Sequence, residues 1–228
     1  MCGRFTLTID TAGLQAVFPG LLLTEDVPPL APRYNIAPTQ PVTTILNSDT
    51  TCLQQLRWGL IPFWAQNAET EARLINARAE TLAEKPSFRA AFRGRRCLIP
   101  ADGFYEWQHL SDGHKQPTYV RLQSGGVFAF AGLWERWSPP GGGETDVLYS
   151  CAIITTAPNE LLEPIHNRMP VILPPSAYEV WLSPGDIAPT VLQPLLQPYP
   201  AAEMRAYAVA STVNNPRNDS LDCVRPVE

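Results

Sequence analysis

RRCLIPADGFYEW, residues 95–107, reads as two short strands joined at a turn. RRCLIPA (95–101) is an apolar run, GFYEW (103–107) is aromatic, and Asp102 with Gly103 supplies the break between them. The second strand carries a carboxylate, Glu106, between Tyr105 and Trp107. A carboxylate flanked by aromatics is partly desolvated, which raises its pKa and suits proton transfer. Alternation along the strand allows the opposite, with Glu106 turned to water and its neighbours packed inward.

Similar runs recur outward from this point. PVTTILN (41–47), CLQQLRWG (52–59), PTYVRLQ (117–123), GVFAFAGLW (126–134), VLYSCAIITT (147–156), MPVIL (169–173) and MRAYAVAS (204–211) are short, β-branched or aromatic, and bounded by Gly, Pro or Asp. Helices are fewer. PSFRAAFRG sets Phe88, Ala91 and Phe92 on one face after a proline. SAYEVWL opens with Ser176 and Glu179 in capping-box spacing, and PNELLEPIH predicts a short helix after a strand. SPPGGGETD (138–146) reads as an exposed loop. The 24 prolines punctuate the whole chain without marking a linker. The expectation is one α+β domain over residues 1–228: a mainly antiparallel sheet that curls into a barrel-like form, with peripheral helices.

With 228 residues, 45% of them hydrophobic, the chain can bury a sizeable core. It has no apolar run long enough to span a membrane and no charged-then-apolar leader, so a cytoplasmic protein is expected. The five cysteines are scattered and form no CxxC pair; Cys52, Cys97 and Cys151 lie in apolar runs and are expected in the core. No metal site and no cofactor are expected, and with no segment reading as an exposed apolar interface, a monomer is. The net charge of -5 is unusual for a nucleic-acid partner. Yet only two of the 17 cations are lysines, and arginine forks suit phosphate, so a local basic groove is compatible with the balance.

Polar residues interrupt several runs. LINARAET (74–81) alternates Asn76, Arg78 and Glu80, which places all three on one side of an extended chain, either solvated or functional. His166, in PIHNRMP, stands at the end of the expected helix beside Arg168, where a helix C-terminus favours the protonated imidazole. His109 and His114 fall in the polar hairpin HLSDGHKQP. In WGLIPFW (58–64), Trp58 is expected in the core and Trp64 at the surface, where an aromatic can stack an unpaired base. MCGRF puts Cys2 directly after the initiator methionine, so removal of Met1 would leave an amine and a thiol on neighbouring carbons.

MCGRF, RYNIAPTQ, WGLIPFW, NARAET, KPSF, RCLIPADGFYEW, AGLWE, ITTAPN and IHNRMPVIL occur in this order. Together they resemble the SOS-response-associated peptidase (SRAP) family of abasic-site shielding proteins, from residue 2 to VNNPRND (213–219). The resemblance implies that Met1 is removed and that Cys2 captures the ring-opened aldehyde of an abasic site in single-stranded DNA as a thiazolidine, possible only for a terminal cysteine. It implies that Asn76 orients the nucleophile, Glu106 moves protons to and from the amine, and His166 acts as the acid on the sugar. Arg4, Arg78 and Arg168 would hold phosphates, with close approach at Gly3. Asn35, Pro38 and Trp64 would line the site against flanking bases, and Thr155 would add a contact near the backbone. Nucleoid association on DNA follows from the same resemblance. Two other classes stay open: a thiol peptidase using Cys2, His166 and Glu106, and a non-covalent single-strand binding module built on Trp64 and the arginines.

Overall fold

The apolar run at the centre of the sequence needs cover on both sides, and it gets it. β6 (Arg96–Ala101) is buried at every position, as its apolar run requires, with Arg96 held by the carbonyls of Trp181 and Ser183. In the computed structural model, which describes residues 2–22, 29–47, 52–68 and 74–227, β6 pairs antiparallel with both β3 (Pro41–Leu46) and β9 (Phe128–Trp137). β3 pairs with β4 (Leu53–Trp58), β4 runs parallel to β10 (Leu148–Thr156), and β10 returns antiparallel to β9. The ladder β3–β4–β10–β9–β6 therefore closes on itself as a five-stranded barrel, which removes its edges.

A second, fully antiparallel sheet lies against it in the order β13–β8–β7–β1–β2. Its strands are β13 (Met204–Ala208), β8 (Lys115–Leu122), β7 (Gly103–His109), β1 (Phe5–Leu7) and β2 (Arg33–Ile36). Asp102 links barrel strand β6 to β7, so the motif that opens the reading is the seam between the two sheets.

Alternate residues of the barrel strands feed two cores. Leu98, Ala152 and Ile154 pack with Leu14 of α1 (Thr11–Val17), Phe92 of α2 (Arg89–Gly94), Trp181 of α3 (Tyr178–Leu182) and Leu192 of α4 (Pro189–Leu192). Cys97, Ile99, Cys151 and Ile153 pack with Phe5, Phe104 and Val120 of the second sheet. A smaller aromatic cluster, Tyr105, Tyr119, Val209, Val213 and Cys223, seals the other face of that sheet beneath residues 211–224. The fold is the expected one: α+β, mainly antiparallel, curled into a barrel, with short helices outside.

Several local expectations change. PNELLEPIH forms a run of turns, capped where Leu162 N donates to Asn159 Oδ1 (3.0 Å), because prolines at 158 and 164 limit helix propagation. MPVIL splits into β11 (Met169–Pro170) on β10 and β12 (Ile172–Leu173) on β9, bridging two barrel strands. The capping box at Ser176 is absent; a 3-10 turn over Pro175–Ala177 leads into α3 and Ala177 holds the cap position. Glu80 leaves the alternation of β5 (Asn76–Arg78) and enters a 3-10 turn, Ala79–Thr81. Cys97 and Cys151 are core residues, whereas Cys52 is half-buried. Strands β1 and β2 and helix α1 are additions that the strand pattern does not announce.

Candidate active site

The site forms where the N-terminal segment meets both sheets. Cys2 is completely buried among apolar residues. Its thiol lies 3.9 Å from Arg4 O, and its carbonyl accepts from Asn76 Nδ2 at 2.9 Å. Asn76 is placed by β5, which pairs parallel to β10 with Asn76 opposite Ile153 and Arg78 opposite Thr155. Having given its amide protons to Cys2, Asn76 keeps its Oδ1 buried and without a partner among the described residues. An acceptor in that state favours an N–H donor arriving beside Cys2.

Glu106 is only 2% exposed. Alternation does turn it away from Tyr105 and Trp107, but toward the interior, while those two rings lie under residues 211–224 on the opposite face. Burial raises its pKa from 4.5 to about 7, the range in which a carboxyl exchanges protons readily at neutral pH. Burial and the charge of Glu106 together raise the Cys2 thiol well above its ordinary value, so the sulfur is held as S–H.

His166 comes from the 158–166 turns, tied to β7 where Gln108 Nε2 donates to Pro164 O at 3.2 Å. Its Nε2 lies 4.0 Å from Glu106 Oε2. Its Nδ1 accepts from the Arg168 amide at 3.1 Å, which leaves the ring proton on Nε2, facing Glu106. Burial lowers its pKa. The protonated imidazole expected at a helix end is thus replaced by a neutral ring, because the helix is not there and the ring is partly covered.

The arginines divide. Arg78 is exposed at the end of β5. Arg168 forks onto Glu80 (2.7 and 2.9 Å) and donates to Thr155 O at 2.5 Å, so Thr155, itself buried, acts as a backbone anchor for Arg168. Arg4 is turned elsewhere: its guanidinium donates to Asn35 Oδ1 and Val213 O, both at 2.7 Å, and sits 5.7 Å from the centre of the Trp107 ring. Asn35 is fully buried and gives its amide to three backbone carbonyls, so it does not line a groove beside bases. The resemblance places these two at DNA; in the structure their donors are spent inside the protein.

Cys2, Asn76, Glu106, His166, Arg78, Thr155 and Arg168 form one linked cluster, with Gly3 half-buried next to Cys2. Pro38 and Trp64 belong to two neighbouring loops, joined where Thr39 N donates to Trp58 O at 2.8 Å. Thr39 holds φ at 72°, a costly value for a β-branched residue, in the turn that displays Pro38. Trp64 is 44% exposed beside Phe63 at 58%, and Trp58 is buried. Glu80 and Gln108 border the cluster, through Arg168 and the His166 turns respectively; the NARAET alternation signals Glu80, and nothing in the sequence signals Gln108.

Among the described residues no three His, Cys, Asp or Glu side chains gather as a metal site. No helix of the described residues is long and apolar enough to cross a membrane.

The family model of the SOS response associated peptidase (SRAP) matches residues 1–216. Abasic site processing protein YoqW of Bacillus subtilis (strain 168) is 48% identical over 227 residues, spanning 98% of this chain and 99% of its own. Abasic site processing protein HMCES of Xenopus tropicalis is 31% identical over 86% of this chain and 66% of its own length. A crystal structure of a protein from Bacteroides thetaiotaomicron matches with a TM-score of 0.87 and 28% identity over the whole of both chains. On the sequence model, the relatives and the fold alike, the chain belongs to the SOS response associated peptidase (SRAP) family.

Proposed function

We propose that this protein captures abasic sites in single-stranded DNA, forming a covalent crosslink through Cys2 once Met1 has been removed. The observation that carries the reading is the company of Cys2: a buried residue whose carbonyl is held by Asn76, beside a carboxyl whose pKa lies at about 7 and a neutral histidine. An abasic sugar opens to a C1′ aldehyde. The Cys2 amine adds to that carbon and water leaves, giving an imine. The thiol then adds across the C=N bond, its proton passing to nitrogen, and a thiazolidine closes. One C–N and one C–S bond form, one water is lost, and nothing is oxidised or reduced. Amine and thiol are delivered on adjacent carbons, so the second step is intramolecular.

In this reading Asn76 Oδ1 accepts from the free amine, and Glu106 takes the ammonium proton and returns one to the leaving hydroxyl. The His166 Nε2–H donates to the sugar oxygen. Arg78 and Arg168 hold the flanking phosphates, and Pro38 with Trp64 supports the unstacked neighbours. The same imine opens a lyase-like route to strand cleavage, which the thiol intercepts. The peptidase reading requires a histidine-activated thiolate. Burial and the charge of Glu106 both favour the thiol, and His166 points its proton at Glu106.

The test is a single-stranded oligonucleotide bearing one abasic site, mixed with wild type, Cys2→Ala and Cys2→Ser. The expected result is a boiling-resistant species with wild type alone, of intact mass equal to protein without Met1 plus DNA minus one water. A wild-type chain lacking Met1 that forms no covalent species overturns the reading.

A further inference from the structure

Arg4 stands two residues from the proposed nucleophile, yet it faces residues more than two hundred positions later. Its guanidinium donates to Val213 O (2.7 Å) and Asn214 O (3.3 Å), and to Asn35 Oδ1 (2.7 Å). Asn35 Nδ2 in turn donates to Val213 O and Asn215 O, both at 3.1 Å, and to Asn218 O at 2.7 Å. Asp219 accepts from the Tyr34 and Asn35 amides and from Arg33 Nε. On the other side, Trp107 Nε1 donates to Asn214 Oδ1 at 2.7 Å, and Trp107 adjoins Glu106 in sequence. Residues 213–219 thus form a strap that grips β2, Arg4 and Trp107 together.

We propose that this strap is a positioning element for the reaction, with Asn35 and Asn214 as its positioning residues; the inference rests on the covalent capture read above. The physical reason lies in how few hydrogen bonds hold the N-terminal segment, although Cys2 itself is buried. β1 has three residues and starts only at Phe5. Cys2 to Arg4 precede it, joined to β7 through Tyr105 N to Arg4 O (3.0 Å) and to β5 through Asn76. A terminal segment of this kind frays unless it is tied down. Arg4 supplies the tie by a side chain, held in a fork whose acceptors are themselves buried or hydrogen-bonded. Because both Arg4 and Trp107 are held from the strap side, the strap takes part, with the β7–β8 ladder and Asn76, in setting the spacing between Cys2 and Glu106. An error of about 1 Å in such spacing can cost a hundredfold in rate. Arg4 therefore serves orientation, and phosphate contact falls to Arg78 and Arg168.

Asn35→Leu keeps the side-chain size and deletes the amide; Asn214→Ala removes only the Trp107 bond and is the milder variant. For each, three quantities are compared with wild type: the crosslinking rate at saturating abasic oligonucleotide, the affinity for the same strand carrying a tetrahydrofuran analogue that lacks the aldehyde, and hydrogen exchange by mass spectrometry over residues 2–6 and 103–107. The expected result is a rate at least 10-fold lower for Asn35→Leu and about 3-fold lower for Asn214→Ala, with affinity within 3-fold and faster exchange confined to those two segments. Unchanged exchange there, in a folded variant, overturns the proposal whether or not any DNA reacts. So does a rate loss that merely tracks the folded fraction in a thermal melt, or one matched by an equal loss of affinity. A wild type that does not crosslink, with exchange altered as expected, sinks the covalent reading and leaves the strap as the anchor of the N-terminal segment.

Discussion

The barrel and the second sheet are built from similar strands but spend their burial differently. In the barrel, β6 and β9 carry near-continuous apolar runs and most inward positions are filled by Leu, Ile, Phe, Ala and Cys. In the second sheet, the buried set includes Thr6, Glu106 and Thr118, with Asp102 at its entrance. The barrel dries polar groups too, but ties them locally, Arg96 to the carbonyls of Trp181 and Ser183 and Glu135 to Arg95; the second sheet keeps Glu106 dry because both its faces are covered, one by the barrel and one by residues 211–224. The helix-side core of the barrel lies apart from the cluster around Cys2, which draws Asn76 and Thr155 from the barrel side and Glu106 from β7, so substitutions in that core and in the cluster should separate in what they damage.

The sharpest test of that division is a barrel truncation. Leu98 is fully buried in β6, opposite Ile45 on one side and Ala131 on the other. Leu98→Ala should lower unfolding stability by about 2–5 kcal/mol, the usual cost of a core cavity. Denaturant unfolding measures it. The crosslinking rate per folded molecule should stay within about 2-fold, since Leu98 feeds the helix-side core and not the one that holds Cys2. A rate loss as large as the stability loss would mean the helix-side core and the site are not independent.

Glu106→Gln is the mirror experiment. With Glu106 as the proposed proton carrier, its removal should slow the proposed crosslinking about 100-fold, the low end of general acid–base contributions. Its effect on stability should have the opposite sign. The unfolded carboxyl releases its proton near 4.5, whereas the folded one holds it to about 7 because of burial. Between those values the folded state binds more protons, so Glu106 makes stability fall as pH rises through that window and leaves it lower above. Gln has no proton to lose. The variant should therefore be more stable than wild type at pH 8, by on the order of 1–3 kcal/mol, and equal to it near pH 4. Thermal melts across pH 4–8 check the slope, and a wild-type rate profile with an inflection near 7 would assign the titration to this group. Equal stability at pH 8 would place the carboxylate in a better-solvated setting than its 2% exposure implies.

The same contrast governs what was legible in the sequence. Barrel strands announce themselves: runs such as RRCLIPA and VLYSCAIITT are apolar on both faces and cut by turn residues, and each is where the pattern put it. The second sheet is harder to read. β1 and β2 have three and four residues, too few for any period to show, and their pairing is decided by contacts distant in sequence. Helix α1 did carry a signal that went unread, Asp10, whose carboxylate caps Gly13 N at 2.8 Å. The direction of Glu106 was undecidable from alternation alone, because that depends on a cover for Tyr105 and Trp107 supplied a hundred residues later. The same strap bears on Arg4 and Asn35, which the family resemblance places at DNA. An arginine in a motif looks like a phosphate ligand until its acceptors, here the carbonyls of Val213 and Asn214, are in view.

The smallest expected effect lies at the rim of the site. Arg168 is forked onto Glu80, and that hydrogen bond holds the Glu80 carboxyl below its ordinary pKa. The carboxylate is half exposed, so the pair is worth no more than about 0–1 kcal/mol to folding. On the proposed contact of Arg168 with phosphate, Glu80 would act in two ways at once. It fixes the guanidinium in one orientation, anchored also on Thr155, and it occupies the donors that a phosphate oxygen would take. Exposure decides which effect wins: a solvent-accessible carboxylate yields its donors to a phosphate at little cost, but its charge stays beside the strand. Glu80→Gln removes that charge while Gln still accepts from Arg168. Affinity for an unreactive single strand should rise roughly 2–5-fold, and the dependence of log K on log salt should steepen by up to about 0.7, the share of one added phosphate contact on single-stranded DNA. The rate at saturating strand should move by less than about 2-fold, since Glu80 touches neither Cys2 nor Glu106 and an uptake step, not a proton transfer, is being altered. Weaker binding in Glu80→Gln would reverse the assignment. The carboxylate would then be the mould that shapes Arg168 for phosphate, and the rim would share the stiffness of the strap behind Cys2.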